Sequence, residues 1–588
     1  MKIKHLFGLA VIAAMTASCS SNEDLGTAGP GTGTNEAGVG YATFSINLPT
    51  TSGTRAAGDP TFDPGSDYEY KVNDATLLIF KKGEPTKEGE TPKEGDYTFV
   101  ERVELGSMAP WKDPTETGVT THAKITAKLN HVDKNGEFFA LVLLNNGTGS
   151  NAKVTVPTTE GMKFSVWNAA ANATYDKFTN TNNGFYMANA PLFDKDNTTN
   201  KVTTLVAINN ANIYPTEEQA AKGTATDIYV ERGLAKVTLK TGKAATGNTD
   251  DNYTVTGVTY QGDKVKISNW ALDVTNKNTF PIHNVDGLSD DYTDIWSNTD
   301  TQAGSNGATT QRFVDNKDTK AKRVYWGKDP NYDNKDADKT ALKAEFKYVA
   351  NEEVTEDPSK PLYCLENTFN LANMMQEQTT RVVFKAKYTP KNITEGETFY
   401  KIGKNIAIWS KDNLEKEIKA AVASVVSGAA GKTTVTLNAP KNDITAAGTH
   451  YITADNIIVK TSETETATID KDQITAINTQ LGLNEKEKVG ISTYAGGESY
   501  YIARIKHFGD DFTKWESGLY GEKKLEYLGR YGVLRNNWYD LTVQSVSGPG
   551  YPSVPDVKPN TPDDEDDKYI NVSVKILDWA KRSQNVNL

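Results

Sequence analysis

Two short stretches near the ends of the chain alternate strictly between apolar and polar residues. The first spans 41–48, and its apolar face is formed by Ala42, Phe44, Ile46 and Leu48. The second spans 569–579, where one face is formed by Ile570, Val572, Val574 and Ile576, with Trp579 following. A period of two residues is typical of a half-buried β-strand. The pattern therefore predicts one strand at each end of the chain.

The body between these strands is predicted to be mainly β. Apolar runs over 72–80 and 138–144 favour buried central strands, and 228–239 is predicted to open a second β-domain. Short helices are predicted over 161–171, 411–424 and 471–481. We therefore expect two tandem β-sandwich domains with a few short helices and a C-terminal donor strand.

The predicted division of the chain follows from these patterns and from its Gly- and Pro-rich segments. The predicted units are a signal peptide (1–18), a propeptide (19–55), an N-terminal β-sandwich (56–222), a C-terminal β-sandwich (223–548), and a linker with the last strand (549–588).

Composition supports a folded, non-basic protein. Charged residues make up 24% of the 588 residues and hydrophobic residues 37%, which suffices for a buried core. The net charge is −12, and no basic patch with interleaved aromatic residues is present in the sequence. Nucleic acid is therefore not an expected partner.

The N-terminus has the layout of a lipoprotein signal. Lys2 and Lys4 precede an apolar stretch over 6–15, and small residues then lead to Cys19. We expect Cys19 to be lipidated and to anchor the precursor to the outer membrane. An ordinary signal peptide with an incidental cysteine is the alternative. The Gly-, Thr- and Ala-rich stretch over 26–40 is predicted to be a flexible tether.

A small-residue loop over 50–58 follows the first strand. Arg55 is the sole Arg or Lys between Lys4 and Lys71, so an Arg-specific protease has one obvious target in this loop. Cleavage there would leave Ala56 as the first residue of the mature chain.

The two terminal strands have equivalent apolar faces and could occupy the same groove. If cleavage removes the first strand, the last strand of another molecule could fill the vacated position by β-augmentation. Such a head-to-tail contact does not close and produces a filament. The alternative is that both strands are ordinary members of a monomeric lipoprotein. Because the Pro-rich, acidic arm over 549–567 separates the last strand from the body, we expect this strand to be unpaired or loosely placed, and the first to lie in its groove.

The sequence carries no recognisable catalytic or metal motif. The six histidines are scattered, and HExxH, GxSxG and P-loop patterns are absent from the sequence. Acidic runs at 333–338 and 563–567 could bind calcium, although a solvated charge run is the simpler interpretation. Cys364 lies in an apolar run and is expected to be a buried, inert thiol. We therefore expect no catalytic residues, cofactor or metal.

Several segments together resemble one bacterial family. They are 531–543, 547–552 and 576–580 near the C-terminus, and 230–237, 269–276, 363–368 and 500–508 in the body. These segments resemble the fimbrillins of Bacteroidales type V pili, in particular the major subunit of the short (minor) fimbriae. The resemblance runs from the lipidation signal to the last residue.

This resemblance implies transthyretin-like, Greek-key sandwiches and a structural role. By the resemblance, Cys19 is the lipidated position, Arg55 and Ala56 flank the cleaved bond, and 569–579 is the donor strand. Implied partners are identical subunits, anchor and tip subunits, a maturation protease, and host or bacterial receptors. The implied location is a surface fimbrium that supports adhesion and biofilm formation. The alternatives are a tip or accessory adhesin, a surface glycan-binding lipoprotein and, third, a secreted β-sandwich hydrolase.

Overall fold

The computed structural model describes most of the chain in defined ranges. These are residues 31, 33–49, 66–84, 91–108, 119–133, 135–170, 173–180, 182, 184–193, 202–240, 252–285, 322–324, 326–333, 343–507, 516, 527–563, 570–577 and 582–583. Cys19, Arg55, Ala56 and Trp579 lie outside the described residues.

The fold is mainly β, as the sequence predicts. The strands in chain order are β1 (Gly40–Pro49), β2 (Val72–Lys81), β3 (Thr98–Met108), β4 (Val119–Leu129), β5 (Phe138–Leu144), β6 (Ala173–Thr174), β7 (Met187–Asn189), β8 (Leu192–Phe193), β9 (Val202–Thr203), β10 (Val206–Ile208), β11 (Thr226–Arg232), β12 (Ala235–Lys240), β13 (Asn252–Thr254), β14 (Lys264–Asp273), β15 (Thr275–Asn276), β16 (Asn278–Thr279), β17 (Lys322–Arg323), β18 (Phe346–Lys347), β19 (Leu362–Cys364), β20 (Arg381–Thr389), β21 (Phe399–Ile402), β22 (Thr433–Val435), β23 (Asn438–Ala439), β24 (Asn442–Asp443), β25 (Gly448–His450), β26 (Ile457–Lys460), β27 (Thr466–Ala467), β28 (Ile491–Tyr494), β29 (Glu498–Arg504), β30 (Trp538–Val546), β31 (Ile570–Leu577) and β32 (Arg582–Ser583).

Helices are short and few by comparison. The α-helices include α1 (Asp67–Tyr70), α2 (Phe164–Ala170), α3 (Tyr175–Thr179), α4 (Glu217–Lys222), α5 (Lys411–Val425) and α6 (Lys471–Gln480). The 3-10 helices are Glu94–Asp96, Gly149–Asn151, Asn210–Asn212, Val258–Tyr260, Asn351–Glu353, Leu371–Asn373, Ala454–Asn456 and Ala495–Gly497. The three predicted helices correspond to α2, α5 and α6. Within the part of the chain that the structure describes, no helix is both long enough and apolar enough to cross a membrane.

The first large sheet has the order β3-β2-β5-β7-β11-β1-β4, and β10 also pairs with β5. Strands β2 and β5 lie inside this sheet and pair antiparallel from Ala75↔Leu144 to Lys81↔Phe138. Both strands are buried along most of their length, so both predicted apolar runs are buried interior strands. Their side chains share one core with the apolar residues of β1.

The second half of the chain contains two sheets that share another core. One has the order β19-β12-β30-β31-β32 and the other β13-β14-β20-β29. Val237 and Leu541 of the first sheet and Trp270 and Phe384 of the second belong to the same buried cluster. This arrangement is that of two packed sheets, although the domain boundaries drawn from the sequence stay predictions.

The predicted start of the second sandwich is divided between two sheets. β11 pairs parallel with β1 at Phe44↔Thr226 and antiparallel with β7 at Val230↔Asn189, so it belongs to the first sheet. Only β12 enters the second, where it pairs parallel with β30. The expectation that 228–239 as a whole opens the second sandwich is wrong, because the chain changes sheets at Gly233–Leu234, between the two strands.

A compact insertion lies between β20 and β29. It comprises β21 to β28 with α5 and α6, and it has its own core, which includes Leu414, Ile418, Ile477 and Ile491. Helix α6 begins with a reciprocal cap, in which Asp470 and Gln473 each accept a backbone N–H from the other. The sequence indicated these helices, but it did not indicate that they would organise a separate core.

Candidate functional site

Strand β1 lies inside the first sheet and is hydrogen-bonded on both sides. It pairs antiparallel with β4 from Gly40↔Leu129 to Pro49↔Val119 and parallel with β11 from Phe44↔Thr226 to Asn47↔Tyr229. We call the position between β4 and β11 the groove. Removing β1 would leave the facing backbone groups of both neighbouring strands without partners.

The apolar face of β1 is fully buried in the groove. The exposed fraction is 0% for Ala42, Phe44 and Ile46 and 1% for Leu48. Burial stabilises each of the three larger side chains by about 1.5–3 kcal/mol, so the strand contributes roughly 5–9 kcal/mol through them. The structure therefore brings together the four residues of the predicted removable strand.

The opposite face of β1 is covered by helix α4. The Thr43 hydroxyl donates a 2.7 Å hydrogen bond to the carbonyl of Ala220 in α4 and lies 2.8 Å from the Thr126 hydroxyl in β4. Helix α4 is capped by Thr216, whose hydroxyl accepts the backbone N–H of Gln219. Sequence reasoning missed this cover, because Thr43 lies on the face that the alternation assigned to solvent.

The chain before β1 is also hydrogen-bonded, to residues 211–214 between β10 and α4. The N–H of Gly31 donates to Ala211 (2.6 Å) and that of Gly33 to Ile213 (3.1 Å), while Tyr41 and Tyr214 exchange two backbone hydrogen bonds of 2.8 Å. A Cβ at position 31 would lie 2.1 Å from the Ile213 carbonyl oxygen, so this close approach requires glycine. The predicted flexible tether is therefore wrong for residues 31 and 33, which are hydrogen-bonded to 211 and 213.

The segment after the predicted cleavage site is anchored separately. The Glu69 carboxylate in α1 lies 2.8 Å from the Lys236 ammonium, and their side chains are 0% and 6% exposed. It also accepts the Tyr363 hydroxyl at 2.5 Å, and the Arg232 guanidinium donates to the Glu69 carbonyl at 2.8 Å. Burial and the neighbouring Glu69 carboxylate raise the pKa of Tyr363. These contacts fasten the chain at 66–70 to β11, β12 and β19.

The C-terminal strand is paired within its own chain. β31 runs antiparallel to β30 from Trp538↔Leu577 to Val546↔Ile570, and β32 pairs with its outer side. The expectation of an unpaired or loosely placed last strand is therefore wrong. The predicted donor residues Ile570, Val572, Val574 and Ile576 lie in register with Val546, Val543, Leu541 and Tyr539. All four of these β30 residues are buried, so β31 pairs with a strand that belongs to the core of the second sandwich.

The segment that leads to β31 is docked along the second sandwich. We call residues 548–563 the strap. In its first half, the carbonyls of Gly548, Pro549 and Gly550 accept hydrogen bonds from Tyr501 (2.9 Å), Ser499 (2.6 Å) and Tyr494 (2.9 Å). Tyr551 exchanges two backbone hydrogen bonds of 2.8 Å with Tyr500. The strap is therefore held on β29 and does not extend as an arm.

The second half of the strap is fixed by side chains from several segments. Arg381 donates to the Pro555 carbonyl, Asn351 accepts the N–H of Val554, and Glu377 accepts that of Asn560, each at 2.6 Å. At the end of the strap, the Asp563 carboxylate accepts the Thr379 hydroxyl and lies 3.5 Å from the Arg504 guanidinium. Because Asp563 and Arg504 are buried as an ion pair, the first residue of the 563–567 acidic run is not solvated. The interpretation of that run as a solvated charge patch is therefore wrong for Asp563.

Comparisons with known proteins give one family match. Residues 492–585 match the model of the C-terminal region of the type IV major fimbrial subunit protein, fimbrillin. This match includes β28 to β32 and the strap, and it confirms the resemblance to fimbrillins over that part of the chain. Among curated proteins, no sequence matches this chain.

Several solved structures are similar to this chain. They include candidate cell adhesion proteins of Parabacteroides distasonis (10% identity, covering 92% of this chain and 98% of that one, TM-score 0.34) and Bacteroides eggerthii (11%, 95% and 100%, 0.32). A further similar structure is the tip fimbrial protein Mfa3 of Porphyromonas gingivalis with a C-terminal truncation (9%, 92% and 100%, 0.29). At these low TM-scores, the similarities support no argument about this chain.

Proposed function

We propose that this chain, which carries a fimbrillin C-terminal region over residues 492–585, is the structural shaft subunit of a surface fimbria that polymerises by strand exchange. The role is mechanical and involves no catalysis and no cofactor. The precursor is exported as a lipoprotein through Cys19, is held at the outer membrane, and is cleaved between Arg55 and Ala56 by an Arg-specific protease.

The observation that carries the proposal is the position of β1. This strand precedes Arg55 in the sequence, yet it lies inside a sheet, between the edge strand β4 and β11. A cut at Arg55 separates it covalently from the rest of the fold, which stays anchored by Glu69, Lys236 and Arg232. Loss of the strand then exposes a groove with an apolar floor and two open hydrogen-bonding edges, which favours insertion of another strand.

The strand that enters the groove is β31 of a neighbouring subunit. On its own subunit β31 has one long ladder, with β30, and a two-residue ladder with β32. In the groove it would have a long ladder with β4 on one side and a four-residue ladder with β11 on the other, as β1 has. Each additional ladder hydrogen bond contributes about 0.5–1.5 kcal/mol, and covering the apolar floor of the empty groove adds to this, against an association cost of about 4–15 kcal/mol.

A second candidate function is a monomeric surface lipoprotein that binds a glycan or acts as an accessory or tip adhesin. The pairing of β31 with β30 favours it, since an ordinary last strand would pair in this way. Under this alternative β1 stays in the groove and the last strand stays on its own sheet.

The two functions predict different products after cleavage. Purified precursor would be treated with a trace of Arg-specific protease, and the products would be separated by SDS-PAGE without boiling. A ladder of polymers is expected from the wild type and none from Arg55→Ala or from a chain that stops after Asp563. The truncated chain keeps the strap and lacks residues 564–588, which include the donor strand. Clean cleavage that yields monomer alone would exclude strand exchange and favour the monomeric lipoprotein.

A further inference from the structure

The strap poses a problem for strand exchange. A donor strand has to leave its own sheet and reach another molecule, and a free arm would give it a long reach. The strap contains 16 residues, from 548 to 563, which could span on the order of 50 Å if they were released and extended. The distance that the donor strand can travel from its own subunit depends on whether the chain is released from residue 548 or only from residue 563. This distance decides how closely two neighbouring subunits have to lie.

The contacts of the strap are those of a fixed element of the fold. Its carbonyls and N–H groups are bound by side chains from five places in the chain, namely residues 351, 377, 381, 494 and 499–501. Its Tyr551 and Val554 side chains pack against a small core that includes Ala271, Val383 and Ile502. Gly550 has a φ of +63°, and a Cβ there would lie 2.5 Å from the Tyr500 carbonyl oxygen, so the backbone fits closely against β29.

Releasing the strap would be costly because it covers buried charges. Arg381 is 2% exposed and is shared between the Asp273 carboxylate (2.7 Å) and the Pro555 carbonyl. Arg504 is 2% exposed, and its ion pair with Asp563 would be broken. Breaking a buried ion pair is strongly unfavourable, because an uncompensated charge is left behind. The backbone of strand β31 is held by ladders with β30 and β32, which are of the same kind that a new partner strand would offer.

We infer that the strap stays docked in the fibre and acts as a mount for the donor strand, so that only the chain beyond Asp563 moves between subunits. This inference rests on the proposed function. Seven residue steps separate Asp563 from Ile570, which sets a maximum reach of about 25 Å. The start of the donated strand, and with it one end of the groove of the neighbouring copy, lies within that distance of Asp563. The surface around Asp563 is thus the part of the subunit that faces the groove of the next copy.

The test locks the strap to the body with a disulfide. Met375 and Pro562 form an antiparallel bridge beside the N–H of Gln376, which donates to Thr561 at 2.9 Å. Facing residues in such a bridge have Cα separations of about 4.5–5.5 Å, which suits a disulfide. The variant Met375→Cys/Pro562→Cys would be made in a Cys19→Ser background, oxidised, cleaved at Arg55 and assayed for polymer. The same protein after reduction serves as the folding control.

A matched lock holds the donor strand itself. Thr542 of β30 and Ser573 of β31 face each other in register, so Thr542→Cys/Ser573→Cys fixes β31 on its own sheet. We expect the oxidised strap lock to polymerise as well as its reduced form. We expect the oxidised strand lock to give monomer and to recover on reduction. If the oxidised strap lock yields only monomer while its reduced form polymerises, the strap has to peel away and the inference is overturned.

Amide hydrogen exchange of the strap in monomer and polymer is a second test, and it needs no substitution. The N–H groups of Tyr551, Val554 and Asn560 donate hydrogen bonds within the subunit and should keep the same protection in monomer and polymer. Loss of their protection in the polymer would also overturn the inference. A wild-type chain that never polymerises after cleavage would instead overturn the proposed function, so the two failures are distinguishable.

Discussion

The carboxylate of Glu69 lies 2.8 Å from the ammonium of Lys236, and this buried pair joins the segment after the predicted cleavage site to the second sandwich. Glu69 comes 14 residues after Arg55, whereas Lys236 lies in β12. The Tyr363 hydroxyl and the Ser66 N–H complete the shell around the carboxylate. If the chain is cut at Arg55, these contacts would keep residues 66–70 attached to β12 and β19.

The first prediction concerns this pair. Glu69→Gln leaves the buried Lys236 ammonium without a counter-charge and should lower the free energy of unfolding by about 3–5 kcal/mol. Guanidinium unfolding monitored by tryptophan fluorescence would measure it. Glu487→Gln removes the exposed pair with Lys404, whose side chains are 58% and 78% exposed, and should change stability by less than about 1 kcal/mol. Equal effects of the two substitutions would contradict the anchoring role of Glu69.

The second prediction concerns a substitution in β1 that should lower the stability of the precursor but not that of the polymer. Phe44→Ala opens a cavity in the core and should destabilise the precursor by about 3–5 kcal/mol. Because β1 is absent after exchange, polymers made from this variant should resist heating in SDS as well as wild-type polymers. Phe80→Ala, at an equally buried position of β2, should weaken both the precursor and the polymer. A Phe44→Ala polymer that melts early would show that β1 remains in the fibre.

The third prediction is a pH dependence of stability. Burial, with a contribution from the nearby Glu366 carboxylate, raises the pKa of Asp329 to about 7. An unfolded Asp has a pKa of about 3.9, so between about pH 4 and 7 the folded chain holds a proton that the unfolded chain has released. The free energy of unfolding should therefore fall as the pH rises through this window, by at most about 1.4 kcal/mol per pH unit from this group.

Urea unfolding at several pH values, with Asp329→Asn beside the wild type, isolates this contribution. The Asn variant is neutral throughout and should lack the Asp329 part of the slope, although His283, Glu231 and Glu366 nearby remain in both proteins. Asp472→Asn on the exposed side of α6 should keep the wild-type slope. Parallel pH profiles for the wild type and Asp329→Asn would disprove the assignment.

The fourth prediction concerns Cys364. Burial raises the pKa of this thiol to about 12, so almost no thiolate is present at pH 8. In the chain trimmed at Arg55, where Cys364 is the only cysteine, a disulfide-exchange reagent should react only after denaturation. An exposed cysteine introduced as Ser462→Cys should react at once in the folded protein. Rapid labelling of Cys364 in the native state would mean that β12 and β19 separate readily.

The sequence predicted those strands and helices whose apolar pattern is visible within the element itself. The alternation over 41–48 identified β1 and its buried face, and the apolar runs identified β2 and β5. The family resemblance agreed with the match over the C-terminal region. These features depend on local periodicity and on short motifs, both of which can be read along the chain.

The features that the sequence did not indicate depend on partners that are distant along the chain. A period of two gives the apolar face of β31 but not the strand beside it, so its pairing with β30 was missed. The Pro-rich composition of 548–563 is typical of a linker, and nothing local shows that Arg381, Ser499 and Tyr501 would bind its carbonyls. The same holds for Glu69, because its partners Lys236 and Tyr363 are far from it in the sequence.

The two-residue step between β11 and β12 has a mechanical consequence. β11 borders the groove, and after Gly233–Leu234 the chain continues as β12, which pairs parallel with β30. In a fibre, tension that enters through the strand in the groove would pass along β11 and β12 to the sheet that carries the next donor strand. It would act along strand axes, so ladder hydrogen bonds would be sheared together rather than broken one at a time. The subunit would thus transmit pulling force from the sheet that contains β11 to the sheet that contains β12 through two residues of continuous backbone.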